Sequence, residues 1–283
     1  MRVAAEHRKP FFGSQSMSAG KSTVGRFPTS HFRLGAFQTR HYAKAPIIEA
    51  IISFTVEMPE GFRVENARNF RESARSYSET GEERMVGFPV VPFGPTTQND
   101  VTVISGIRFQ SPDSRYLLAC RDTSFALSRL APYEDWETFR DETHRLWELY
   151  ANRFDPIKVT GLSVRYINRI EIPWSPGEEI DFRWYFRTFP EVSTDLDVGM
   201  SGFHMRLDIP LTSIRARLIL NQAMLPPASP SPSSISVILD SDIVSSLEVP
   251  DNAAMWTRLE ELRIAKNDVF EACITNLTRE LFK

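Results

Sequence analysis

Arginine and carboxylate side chains at alternate positions of one apolar run are the residues of this chain best placed to do chemistry. In Leu162–Pro173, Leu162, Val164, Tyr166 and Ile170 alternate with Arg165, Arg169 and Glu171. An extended backbone sends the first set to one face of a sheet and the second to the other. The planar fork of arginine suits bidentate recognition of carboxylate or phosphate. A second run, Ile47–Pro59, carries Glu49, Ser53, Thr55 and Glu57 on its polar face. If the two runs lie side by side, Glu49 or Glu57 meets Arg165 or Arg169. Two readings follow: a cross-strand ion pair on a solvated face, worth little, or a charged surface that recognises a ligand or partner. Asn168 falls on the apolar face, where an unpartnered amide costs about 1–3 kcal/mol, unless a bulge turns it outward. Arg129 and Asp135 flank a strand-to-helix corner, which they either pin by hydrogen bonds or an ion pair, or use for binding. Arg165, Arg169, Glu49, Asn168, Arg129 and Asp135 are the candidate binding residues. No catalytic set and no metal-ligand set is read beside them.

Other motifs carry less. Gly20-Lys21-Ser22-Thr23 looks like the end of a phosphate-binding loop, but six residues separate Gly13 from Gly20 where the loop needs four, and neither strand nor helix flanks it. Three of the five histidines fall within residues 1–44, and His144 and His204 stand in no metal-ligand spacing. Gly-x-Ser-x-Gly is absent. Asp240-Ser241-Asp242 could offer two carboxylates to a divalent cation, or begin the turn towards the last helix. Cys120 and Cys273 are too few and too far apart for a disulfide framework or zinc site. No cofactor is implied.

The elements that must hold these residues read as two similar halves. Both apolar runs end in Glu-x-Pro, and each precedes an aromatic helical stretch, a Ser-Gly step (Ser105-Gly106, Ser201-Gly202), further strands and a long helix near a tryptophan (Trp136, Trp256). In the first half, Ala67, Phe70, Ala74 and Tyr77 stand at helical spacing with Gly81 as the stop. Strands follow over about Met85–Pro92, Val101–Gln110, Arg115–Cys120 and Ser124–Leu130, and Pro132 opens a helix with Trp136, Phe139, Leu146, Trp147 and Tyr150 on one stripe. The second half gives a strand over 159–172, a short helix over Asp181–Phe189, strands over 201–210, 213–221 and 235–241, and a helix from Asp251 to Phe282. The fold class expected is α+β: a pseudo-duplicated antiparallel sheet with helices on one face, in the element order of the TATA-binding protein. The halves are residues 45–157 and 158–283 of one compact unit, after a disordered basic tail over 1–44.

Charge separates the tail from the rest. Residues 1–44 hold eight Lys/Arg against Glu6 alone, or +7; with −3 for the whole chain, residues 45–283 carry the difference, −10. An acidic folded part argues against a general phosphate-backbone binder. Apolar runs are of strand length, well short of the roughly 20 residues of a membrane span, so no membrane association is expected.

Three blocks, Ala45–Ile51, Phe125–Trp136 and Leu162–Ile170, resemble a sporadically distributed family of prokaryotic proteins of unknown function. The resemblance covers residues 45–283 and implies a cytoplasmic setting, with no catalytic residues to carry over. The functional expectation is a non-enzymatic binding or interaction protein with an unidentified protein partner, within a mobile defence or toxin–antitoxin type module. The alternatives are a nucleic-acid binder using the curved sheet and basic tail, and an enzyme acting on a phosphorylated small molecule.

Overall fold

The alternating runs build strands that lie side by side. The structure, a computed structural model, describes residues 32–38, 40–87, 101–175, 177–193, 195, 200–226 and 233–283. Its strands are β1 (Ile47–Glu57), β2 (Ser78–Gly87), β3 (Val101–Gln110), β4 (Tyr116–Arg121), β5 (Ser124–Leu130), β6 (Lys158–Pro173), β7 (His204–Leu211), β8 (Ala216–Met224) and β9 (Ser234–Ser245). The helices among the described residues are α1 (Phe70–Ser73), α2 (Trp136–Phe154), α3 (Asn252–Cys273) and α4 (Asn276–Glu280). All nine strands join one antiparallel sheet in the order β2-β3-β4-β5-β1-β6-β9-β8-β7. β1 and β6 pair with Ser53 opposite Ser163 and Ile51 opposite Arg165.

One face of this sheet packs under α2 and α3. Ala50, Ile52 and Phe54 from β1, Val164, Tyr166 and Ile170 from β6, and Leu239 and Ile243 from β9 are buried there. Phe54 meets Trp147 of α2 and Trp256 of α3 edge-on, with ring centroids 4.8 and 5.8 Å away. Burying each such side chain contributes about 1.5–3 kcal/mol. The other face carries Glu49, Ser53, Thr55 and Arg165, as the alternation predicts. Among the described residues no helix is long and apolar enough to cross a membrane.

Several expectations are corrected. Ala67, Phe70, Ala74 and Tyr77 are all buried, but through a 3-10 turn, Val64–Asn69, that runs into the short α1. Gly81 does not stop a helix; it lies inside β2 at φ 150°, where the register with β3 shifts, a backbone glycine adopts without a Cβ penalty. The strand placed over Met85–Pro92 begins at Ser78, and residues 88–100 lie outside the described residues. Pro132 precedes α2 instead of opening it, because Asp135 is the N-cap, its carboxylate accepting the Thr138 N–H at 2.7 Å. The short second-half helix is a 3-10 turn, Phe182–Trp184. The last helix breaks at Ile274, which forms a β-bridge with Phe186, and Thr275 caps α4.

Part of the segment expected as a disordered tail is held by the fold: the Gly35 and Phe37 N–H groups donate to the Asp268 carboxylate of α3 at 2.6 and 3.1 Å, Ser213 Oγ donates to Phe32 O at 2.6 Å, and Lys44 N–H donates to Phe282 O at 3.0 Å. The Gly20–Thr23 motif lies outside the described residues.

Candidate functional site

On the open face, Arg165 finds a carboxylate, but not the expected one. Its Nε and Nη2 donate to both oxygens of Asp240 on β9, each at 2.8 Å, and that bidentate pair raises its pKa further. β9 is the other neighbour of β6, so Asp240, on the same face and two positions from Asp242, which stands directly opposite Arg165, is within easy reach. Asn221 Nδ2 donates to the same carboxylate at 3.0 Å, and Ser163 Oγ to Asp242 at 2.6 Å. Burial raises the Asp242 pKa. The Asp-Ser-Asp motif therefore lies in mid-strand, not in a turn. Arg169 pairs with Glu171 on its own strand at 2.6 Å, and Glu57 with Lys158 at 3.4 Å. Thus neither Glu49 nor Glu57 forms an ion pair with Arg165 or Arg169. Glu49 lies half-buried on β1.

Arg129 is almost fully buried, at 2% exposure, and does pin its corner. It donates to Leu130 O at 3.1 Å, sits 4.9 Å from the Tyr116 ring centroid and lies 3.3 Å from Glu134. Asn168 stays on the apolar face with a partner: its Nδ2 donates to Leu239 O at 3.1 Å.

On the helix side, the ends of β1 and β6, the β5–α2 corner, α3 and the segment before β1 line a half-open cavity of about 1100 Å³. Asn168, Arg169 and Asp135 line it; Arg165, Glu49 and Arg129 do not. Its inner wall joins Tyr133, Trp136 and Tyr166, from two of the blocks named above, to Arg263 and Lys266, which no sequence motif marks. Lys266, on the α3 stripe between Leu262 and Phe270, places Nζ 3.5 Å from the centroid of the Tyr166 ring. The Tyr166 and Tyr133 hydroxyls are 2.6 Å apart. Arg263 lies 5.5 Å from the Trp136 ring centroid, whose Nε1 donates to Glu260 at 2.5 Å. At the outer end Tyr42 donates to Glu271 at 2.6 Å, and burial together with that hydrogen bond pushes its phenol up to about 12.

Lys266 is the anomaly of this wall. Among the described residues three cations are buried: Arg129, Arg279 and Lys266, the last two at 8% exposure. Arg129 has Glu134, and Arg279 holds Glu271 at 2.8 Å. Among the described residues no carboxylate lies within 4.0 Å of Lys266. Burial, helped by the charge of Arg263, lowers its pKa to about 7. Arg263 itself is loosely engaged, 3.6 Å from Glu260 and 3.9 Å from Glu137, beyond hydrogen-bonding distance. Two polar side chains on the same sheet face, Ser241 opposite Tyr166 and Gln222 opposite Leu239, have buried atoms without hydrogen-bond partners. The signal in the sequence was a lysine interrupting the apolar stripe of α3, at a position where leucine spacing calls for another hydrophobe.

No family model matches this chain, and no curated protein does.

Proposed function

We propose that this is a non-enzymatic binding protein whose site is the helix-side cavity, and that it takes an anionic small molecule with a flat apolar body. The observation that carries the reading is Lys266, a buried cation with no carboxylate partner among the described residues, on the wall of a ligand-sized space. A buried unpaired charge is costly, and an anion beside it offsets that cost. Arg263 supplies a second partly free guanidinium, while Tyr133, Tyr166 and Trp136 supply aromatic surface for the body of the ligand.

The open sheet face supports nucleic acid less well. Arg165 is already neutralised by Asp240, and Asp242, Glu49 and Glu57 share that face, so a polyphosphate there would meet carboxylates.

A duplicated frame belongs to the same proposal. It is supported by the central antiparallel β1–β6 pair, with β5-β4-β3-β2 reading outward on one side and β9-β8-β7 on the other, each set followed by a long helix. On this reading the cavity belongs to one end of the duplicated frame, and the sporadic prokaryotic family supplies its setting.

Calorimetric titration with benzoate and with phenyl phosphate tests the site. Saturable binding is expected, lost in Lys266→Met and kept in Arg165→Ala. It should tighten as pH falls from about 8 to 6, because the anion favours the charged amine. Absence of saturable binding at millimolar ligand, or equal loss in both variants, overturns the assignment.

A further inference from the structure

The choice of lysine at the unpaired position separates two kinds of pocket. Arginine provides most of the cations of this chain, since only six of its 33 are lysines. The other two buried cations among the described residues are arginines, each with a carboxylate. An anion-binding wall alone could use arginine here as well. Arginine cannot give up its proton, whereas a buried lysine can, and a neutral amine facing a cavity is a nucleophile. The hydroxyls of Tyr133 and Tyr166 share one hydrogen bond, which leaves the accepting hydroxyl with its own O–H free to donate. One of them belongs to the ring on which the Lys266 nitrogen rests. Amine, phenolic donor and the guanidinium of Arg263 thus line one wall.

We infer that the ligand of this cavity carries an aldehyde or ketone carbonyl beside its anionic group, and that the Lys266 amine captures it as a reversible imine. This rests on the pocket reading above, with Arg263 taking the anion. The Nζ lone pair bonds to the carbonyl carbon as the C=O π pair moves to oxygen, and a proton passes from nitrogen to that oxygen to give a carbinolamine. The nitrogen lone pair then forms the C=N bond and expels the hydroxyl, which leaves as water with a proton from the tyrosine pair. Loss of the last N–H proton back to that pair yields the neutral imine. One water is released for each carbonyl captured, with no oxidant or reductant.

The groups beside the amine are the Tyr166 ring from β6, whose hydroxyl meets that of Tyr133 from the β5–α2 corner, and Arg263 and Glu271 from α3. Arg263 favours the neutral form and Glu271 the charged one.

The test incubates the full chain with para-formylbenzoate and cyanoborohydride at about pH 7 and maps the adducts by peptide mass spectrometry, beside benzoate binding measured on the same sample. Expected is labelling at Lys266 exceeding each other lysine by roughly tenfold or more, since a lysine titrating at about 7 holds far more free base than one at about 10.4. Lys44, which lines the same cavity from an exposed position, is the internal control. The rate should rise with pH through about 7, opposite to the trend for benzoate. Benzoate binding without preferential Lys266 labelling overturns the imine and leaves the pocket standing. Failure of both benzoate binding and labelling overturns the pocket as well. Because the wild-type chain is mapped, neither outcome depends on a variant that folds; Lys266→Met, where it folds, should remove the adduct.

Discussion

The two faces of the sheet treat their cations in opposite ways. On the open face Arg165 is held by both oxygens of Asp240, and Arg169 and Lys158 each have a glutamate. Under the helices Arg279 and Glu271 form one buried pair, yet on the same helix as Glu271, Lys266 lines the cavity with no carboxylate within 4.0 Å among the described residues. A charge-rich face exposed to water is inexpensive to satisfy and says little about purpose. An unpaired charge under a helix is expensive, which is why the proposed ligand is placed beside it.

The sharpest way to break this contrast is to remove the two buried cations of α3 and α4 in turn. Arg279→Met leaves Glu271 buried without its closest cation and should cost about 3–5 kcal/mol by denaturant unfolding. Lys266→Met should do the reverse, raising stability by about 1 kcal/mol or more below neutral pH, since the thioether fills the space without a charge. Equal destabilisation by both would erase the distinction.

The pH dependence of that second effect has a fixed sign. Lys266 titrates at about 7 in the folded chain against an ordinary 10.5. Below about 7 the amine is charged in both states and the full cost of burial is present. Between about 7 and 10.5 only the unfolded chain holds the proton, so stability gains with rising pH. The advantage of Lys266→Met should therefore shrink across that window in parallel melts of the two proteins; a constant difference would contradict it.

Open-face changes should be smaller. Asp240→Asn removes the anionic bidentate acceptor and leaves Arg165 a single amide oxygen, and should cost about 1–3 kcal/mol, measured by chemical denaturation. Arg169→Ala should change stability by less than about 1 kcal/mol, because both partners are largely exposed. An effect there as large as that of Asp240→Asn would mean that the rim of the cavity is structurally coupled to its wall.

Legibility followed the range of the cause. Period-two alternation in Ile47–Glu57 and Lys158–Pro173 depends on each strand alone, and it placed Arg165 outward and Asn168 inward. The stripe of α2 is equally local, but opening that helix at Pro132 missed the cap at Asp135. The partner of Arg165 was not legible, because it depends on which strand lies on the far side of β6. Asp240-Ser241-Asp242 defied the turn expectation for a related reason: aspartates favour turns, and here they continue a strand only because Arg165, Asn221 and Ser163 meet them from neighbouring strands. Tyr133 and Tyr166 lay within two blocks singled out by resemblance, but their hydroxyl contact joins residues 33 apart. Lys266 alone left a local trace, a charge at an apolar position of a helical stripe.

The central strand pair also sets the order in which this chain can be assembled. Ser53 lies beside Ser163, 110 positions later, and β1 takes its other neighbour from Ser124–Leu130. At about 5–20 residues per second, a ribosome releases β1 roughly ten seconds before β6. During that interval the polar edge of β1 and the ring of Phe54 have no strand to close over them from the second half. Such long-range pairing slows folding, so a folding helper or early docking of α2 through Trp147 would act on β1 first.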